Sequence, residues 1–171
     1  MSSSAPPPGP LQGHYLVATS DDIVFARVVG LGTMNNCVSF KQFLDHLKER
    51  GFGKFVFDLS DCEGFDSTFM GILLGLALGR ASVVLVNLKI AHRKLLSDVG
   101  IHRVVQLCEE PVSLPDVDLK KLESRPVETS SRLGHVLAAH ENLVRLDRRN
   151  QEKFGAFVAI LREELGDGST L

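Results

Sequence analysis

The chain has no excess of basic groups, no paired cysteines and no long apolar run, and each absence narrows what it can do. Its 171 residues carry 19 Lys plus Arg against 21 Asp plus Glu, a formal charge of -2 that leaves no surplus to neutralise a phosphate backbone. Nucleic acid is thereby excluded as an expected partner. The balance is even along the chain, with 10 basic against 11 acidic residues up to Glu110 and 9 against 10 beyond it. Cys37, Cys62 and Cys108 are scattered, and none belongs to a C-x-x-C pair of the kind used for zinc or redox chemistry. The longest apolar stretch, residues 69–78, is broken by Gly71 and Gly75 and is too short to span a bilayer. The Ser- and Pro-rich start lacks the basic region and apolar core of a signal peptide. A soluble cytoplasmic protein without a membrane role is expected.

The familiar chemical signatures are missing as well. The chain has no G-x-x-x-x-G-K-[ST] loop, no H-E-x-x-H and no G-x-S-x-G. Gly30-Leu31-Gly32 lacks the third glycine of a dinucleotide site and reads as a turn. The six histidines are dispersed; His135 and His140 are five apart, which does not stack two ligands on one helical face. No metal, no cofactor and no enzymatic activity are expected.

With 44% apolar and 23% charged residues, the composition supports a packed core. Residues 1–12 form an expected disordered tail, since residues 2–10 are only Ser, Ala, Pro and Gly. Residues 13–110 read as one domain. β-branched and aromatic residues dominate 14–19 and 23–29, with Ser20-Asp21-Asp22 between them, a β-hairpin pattern. Val38, Phe40, Phe43, Leu44 and Leu47 fall on a helical repeat that Gly51 and Gly53 end. Phe55-Val56-Phe57 and residues 83–86 are buried strands, residues 58–65 a polar loop, and residues 104–107 a last short strand. Helices are expected from Ser67, apolar almost all round and so pressed between the sheet and something else, and over 89–99. The fold class is α/β: an initial hairpin, then parallel β-α units in a mixed sheet.

Pro111, Pro115 and Pro126 mark a linker over 111–129, followed by a helical extension over 130–171. Leu133, Leu137, His140, Val144, Asp147, Gln151, Phe154, Val158, Leu161 and Leu165 alternate steps of four and three, the spacing of a heptad seam. The seam turns polar at Asp147 and Gln151, leaving open an unbroken coiled coil that could join two copies in a homodimer, a helical hairpin folding near 148–151, or a helix that simply packs on the domain's own surface.

The segment with the most specific pattern runs from Phe55 to Gly75. A strand ends in Asp58-Leu59-Ser60, an acidic loop follows, and Asp66-Ser67-Thr68 opens a helix. This resembles the STAS domain of anti-sigma factor antagonists, over roughly residues 15–107. One departure is the replacement of the family's Gly-Leu-Gly by Phe69-Met70-Gly71. The resemblance implies that Ser67 is the phosphoacceptor, Asp66 its support and Thr68 a second hydroxyl. It implies a partner that is both anti-sigma factor and serine protein kinase, with a histidine-kinase-like ATPase fold. Asp58, Asp61, Asp66, Phe69, Asp21, Asp22 and Asn35 would border the partner-binding surface.

The residues allow the same chemistry on their own terms. A serine in the first turn of a helix has unpaired backbone N–H groups beside it and a dipole that tolerates negative charge. A phosphoryl group adding roughly -1.5 to -2 charges beside Asp58, Asp61, Glu63 and Asp66 would repel an acidic partner surface. Asp-Ser-Thr is equally an ordinary helix N-cap. The switch needs Ser67 on an exposed docking surface; a serine sealed inside the core or roofed over by the chain's own C-terminal segment defeats it. A second reading makes the domain an assembly subunit, stressosome-like or part of a lipid ABC-transport system, using the C-terminal helix for oligomerisation. A third, a small-ligand site in the loop 58–67, ranks last for want of a base-nucleophile pair at helical or strand spacing.

Overall fold

The computed structural model describes residues 12–166. The tail expected over residues 1–12 lies outside the described residues apart from Gln12, and so does the stretch 167–171.

Strands β1 (Gly13–Ser20) and β2 (Ile23–Gly32) form the expected hairpin, paired from Gly13 against Gly30 to Ser20 against Ile23. Helix α1 (Cys37–Glu49) returns to β3 (Lys54–Asp58), which runs parallel to β2. Helix α2 (Ser67–Leu78), strand β5 (Ser82–Val86) and helix α3 (Ile90–Asp98) continue the parallel winding. A short turn of 3-10 helix (Ile101–Arg103) leads to β6 (Gln106–Leu107), shorter than the strand expected over 104–107. The sheet order is β6-β5-β3-β2-β1.

Two strands were not anticipated. β4 (Cys62–Phe65) lies inside the supposed loop 58–65 and adds in parallel to the end of β2, with Gly32 opposite Phe65. β7 (Lys120–Lys121), within the supposed linker, pairs with Val17 and Leu16 and closes the β1 edge. Neither has the apolar alternation by which a strand announces itself.

Side chains alternate across the pleat. Val24, Ala26, Val28, Phe55, Phe57, Val83 and Leu85 face the helices and form the main core with Phe40, Leu44, Phe69, Leu73 and Leu96. Tyr15 stacks on Phe40 with centroids 3.9 Å apart, and Phe69 continues the stack 6.0 Å from Phe40. On the opposite face, Phe25, Val56, Val84 and Val86 are covered by Leu114, Val117 and Leu119. The stretch 111–119 is therefore a strap across the sheet. Asn87 pins its start, accepting from the Val112 N–H at 2.9 Å and donating to the Val112 carbonyl at 2.8 Å. Asn87 has φ of 61°, a left-handed conformation that Asn tolerates better than most residues.

The C-terminal extension is a helical hairpin. Helix α4 (Thr129–Leu146) stops where Asp147 adopts an extended conformation, and Asp147 then caps α5 (Arg148–Glu164) by accepting from the Arg149 N–H at 2.8 Å. Val136, Leu137, Val158 and Leu161 bury one another, with Leu133, Val144 and Leu165 packed around them. The apolar seam is thus closed within one chain, and the expected homodimer through it loses its contact surface. Asn150 holds the hairpin to the body, donating to the Val99 and Leu143 carbonyls at 2.9 and 2.8 Å.

Candidate functional site

The body of α2 is buried because α4 lies over the side that the sheet leaves open. A Cβ at Gly71 would stand 2.2 Å from the Ala139 carbonyl oxygen, so only glycine admits the α4 backbone there. Asn142 donates to the Gly71 carbonyl at 3.1 Å, and its amide lies against Gly75. The pair Gly71 and Gly75 costs helix propensity, roughly 1 kcal/mol per residue against Ala, and in exchange lets a second helix approach closely. The unnamed cover anticipated for α2 is α4.

At the N-terminus of α2, Asp66 is the N-cap. One carboxylate oxygen accepts from the Phe69 N–H at 3.0 Å, satisfying a first-turn donor. The other accepts from the Met34 N–H at 2.9 Å, tying the β2–α1 turn to the helix start. Asp66 therefore supports the geometry around Ser67 rather than facing a partner.

Ser67, the first residue of the helix, is half-buried, and its hydroxyl is already engaged. Its Oγ lies 2.7 Å from Nε2 of His140 on α4. The other ring nitrogen, Nδ1, lies 2.7 Å from the Val136 carbonyl oxygen. A carbonyl only accepts, so Nδ1 carries the proton. Burial lowers the pKa of His140 from its ordinary 6.5, outweighing the opposing effects of the Val136 carbonyl and Asp66. In the neutral ring Nε2 is then an acceptor, and Ser67 donates to it. Phe154 and Phe157 of α5 meet the imidazole edge-on at 5.4 and 4.9 Å between centroids and fix its plane.

Several expected surface residues are elsewhere. Thr68 is 2% exposed and Phe69 0%, because the first turn directs them into the core; neither offers a second acceptor or a docking contact. Asp58, at 2% exposure, is also interior. It accepts from Arg27 Nε at 2.9 Å, Asn87 Nδ2 at 2.9 Å and the Ser60 N–H at 3.0 Å. Burial alone would raise its pKa, but the hydrogen bonds from Asn87, Ser60 and Arg27 prevail and hold it below the ordinary 3.8. Asp58 locks the end of β3 to β2 and to the strap. Asp21 and Asp22 sit in the β1–β2 turn, beside Ile23, which pairs with the first residue of β3, Lys54, whereas Arg27 pairs with its last, Asp58. Those two carboxylates are at the opposite end of the sheet from Ser67. Asn35 is exposed next to Met34 and does belong to the Ser67 end. Of the four loop carboxylates only Asp61 and Glu63 are solvent-facing, so the acidic patch is half of what the sequence suggested.

His140 is the residue that sequence reasoning missed in this role. It was visible as a polar ring at an apolar position of the seam, but nothing in the spacing pointed to a partner 73 residues earlier. A cavity of about 540 Å³ near Tyr15, Asn36 and Lys121 touches Asp61 and Glu63 but not Ser67.

No family model and no curated protein matches the chain. Among solved structures it is similar to "NMR Structure of the protein TM1081", 20% identical, covering 63% of this chain and 90% of that one with a TM-score of 0.51. That likeness is one of fold: a mixed α/β sheet with a hairpin followed by parallel β-α units. A second similar structure is that of the anti-sigma factor antagonist SpoIIAA in its unphosphorylated form, 15% identical, with 56% and 89% coverage and a TM-score of 0.46. The fold here ends in strap and hairpin, and the hairpin roofs the helix start on which the resemblance had placed an open switch. Ser67 is covered by the chain's own C-terminal segment, and the open-surface switch expected there fails. No helix among the described residues is long and apolar enough to cross a membrane.

Proposed function

We propose that this chain is a non-enzymatic cytoplasmic signalling module in which Ser67 is a covered phosphoacceptor. Its partner is an anti-sigma factor and serine kinase of histidine-kinase-like ATPase fold. The partner docks at the N-terminal end of α2, beside Asn35 and Asp61, reaching the half-buried Ser67 with α4 in place, and phosphorylation of Ser67 disfavours the complex. One observation carries the reading: a half-buried serine hydroxyl at the carboxyl end of the parallel strands, in the first turn of a helix capped by Asp66, is bonded to a helix of its own chain. The cover changes the expected switch from an open surface to a half-covered serine that the partner must reach beside α4. The assembly-subunit reading loses support because the seam that would have joined copies is closed between α4 and α5.

The test is capture from an extract of the source organism on immobilised full-length chain. An ATPase of the stated fold should be retained by Ser67→Ala and lost with Ser67→Asp, and mass spectrometry should place phosphate on Ser67. Equal retention by both variants removes the reading.

A further inference from the structure

We propose that Ser67 and His140 are a working nucleophile–base pair, so that the acceptor chain itself supplies the general base for phosphoryl transfer to its own serine. This rests on the reading of Ser67 as an acceptor, and it assigns His140 a role that a structural cover alone does not need.

Three features of the site match what such a pair requires. The nucleophile and base are in direct contact, with 2.7 Å from Oγ to Nε2. The base is oriented by a third group, the Val136 carbonyl, which holds the proton on Nδ1 and turns the Nε2 lone pair toward Ser67. The groups facing the ring are few: Ser67 and the Asp66 carboxylate from the α2 side, and the uncharged rings of Phe154 and Phe157 from α5. Asp66 stabilises the imidazolium that forms when the proton arrives. Ser67 remains half-buried rather than sealed, so an electrophile has a side from which to approach. The α2 dipole favours negative charge at the helix start, where Ser67 sits.

The step balances without any further reactant. Ser67 Oγ attacks the γ-phosphorus of a nucleoside triphosphate held by the donor protein, and the Oγ–P bond forms as the P–O bond to the nucleoside diphosphate breaks. The serine proton passes to Nε2 of His140 and leaves later to solvent. Protein kinases ordinarily place an aspartate of their own beside the substrate hydroxyl for this purpose. Here the proton acceptor is already bonded to that hydroxyl before any donor arrives. General-base assistance of this kind contributes roughly 10²–10⁴ in rate.

A biotinylated fluorophosphonate tests the pair on the full-length chain with no partner present, since its P–F bond breaks as Oγ–P forms and fluoride leaves. Peptide mass spectrometry should find Ser67 labelled about 100-fold faster than the exposed Ser60, and His140→Gln should remove that advantage. In the unaltered chain the labelling rate should climb with pH and level off at an inflection below 6.5, the ordinary imidazole value, a readout that depends on no variant and that a purely structural histidine would not produce. Labelling of Ser67 no faster than Ser60, or an unchanged rate in a His140→Gln chain whose circular dichroism is intact, overturns the proposal. The two readings fail separately: a labelled Ser67 that no host kinase phosphorylates sinks the partner assignment alone, and a kinase that modifies the His140→Gln chain at full rate sinks the base alone.

Discussion

Helix α2 has two unlike neighbours, and the contrast explains what in this molecule is permanent and what can move. Toward the sheet it presents Phe69, Leu73 and Ile72, sealed in one continuous apolar core with an aromatic stack running through Phe40 to Tyr15. Toward α4 it presents two glycines and a few directed polar contacts, from Asn142 to the Gly71 carbonyl and from Ser67 to His140, beside the apolar Ala139 and Leu143. The first interface can be lost only with the fold, because every residue in it shares the same dry interior. The second also buries Ala139 and Leu143 in that core, but adds close backbone approach and polar bonds that water can replace.

The strongest challenge to that contrast is Phe69→Ala. Emptying the stack between Phe40 and Phe65 should cost about 3–5 kcal/mol and lower the urea midpoint of the whole chain in one transition. A small loss would mean that the sheet side of α2 is as loosely held as the other. Gly71→Val sharpens the comparison from the opposite side. Its branched side chain would meet the Ala139 carbonyl, costing about 1–3 kcal/mol, and hydrogen exchange should quicken in α4 and α5 while β3 and β5 keep their protection. Uniform loss of protection would show that hairpin and body are one cooperative unit.

The smallest effect concerns acid. Burial lowers the pKa values of His92, His135 and His140, with Lys89 adding to the effect at His92 and Lys41 at His135. The unfolded chain therefore binds more protons than the folded one once the pH drops under the ordinary value of 6.5. The stabilising contribution is complete above that point and shrinks as pH falls from 6.5 toward the folded-state values. Thermal unfolding at pH 7.5 and 5.5 should differ by a few degrees, with the lower midpoint at pH 5.5. The His140→Gln chain should show a smaller difference, and a midpoint that rises on acidification contradicts the assignment of a neutral buried ring.

The body of the fold was legible because its signals are local. The β-branched and aromatic residues of 23–29, the apolar triplet 55–57 and the helical repeat of Phe40, Leu44 and Leu47 each declare their element within a few residues. Asp66 was legible as a cap for the same reason. What was not legible depends on distant contacts. Thr68 and Phe69 look like flanking surface residues in a motif, yet whether a first-turn side chain points out or in is decided by what packs on the helix. Asp58 is acidic and beside a loop, and only the convergence of Arg27 and Asn87 makes it interior. Asp21 and Asp22 were placed near Ser67 by resemblance, and the direction of the strands puts them at the far end. The seam was visible, but a heptad pattern is the same whether its partner is another chain or its own continuation; the extended backbone of Asp147 made the choice.

The strap has a bearing on how hard any competitor must work. It is fastened at Val112 by Asn87, and just beyond it the Leu122 N–H donates to the Tyr15 carbonyl at 2.9 Å, so the chain that leads to α4 leaves the sheet from a fixed point at the β1 edge. A displaced hairpin remains on a short leash, and its return is governed by a local concentration in the millimolar range or above rather than by diffusion. An outside protein present at micromolar levels would have to bind about a thousandfold more tightly than α4 does to displace it, so docking that leaves α4 in place is favoured.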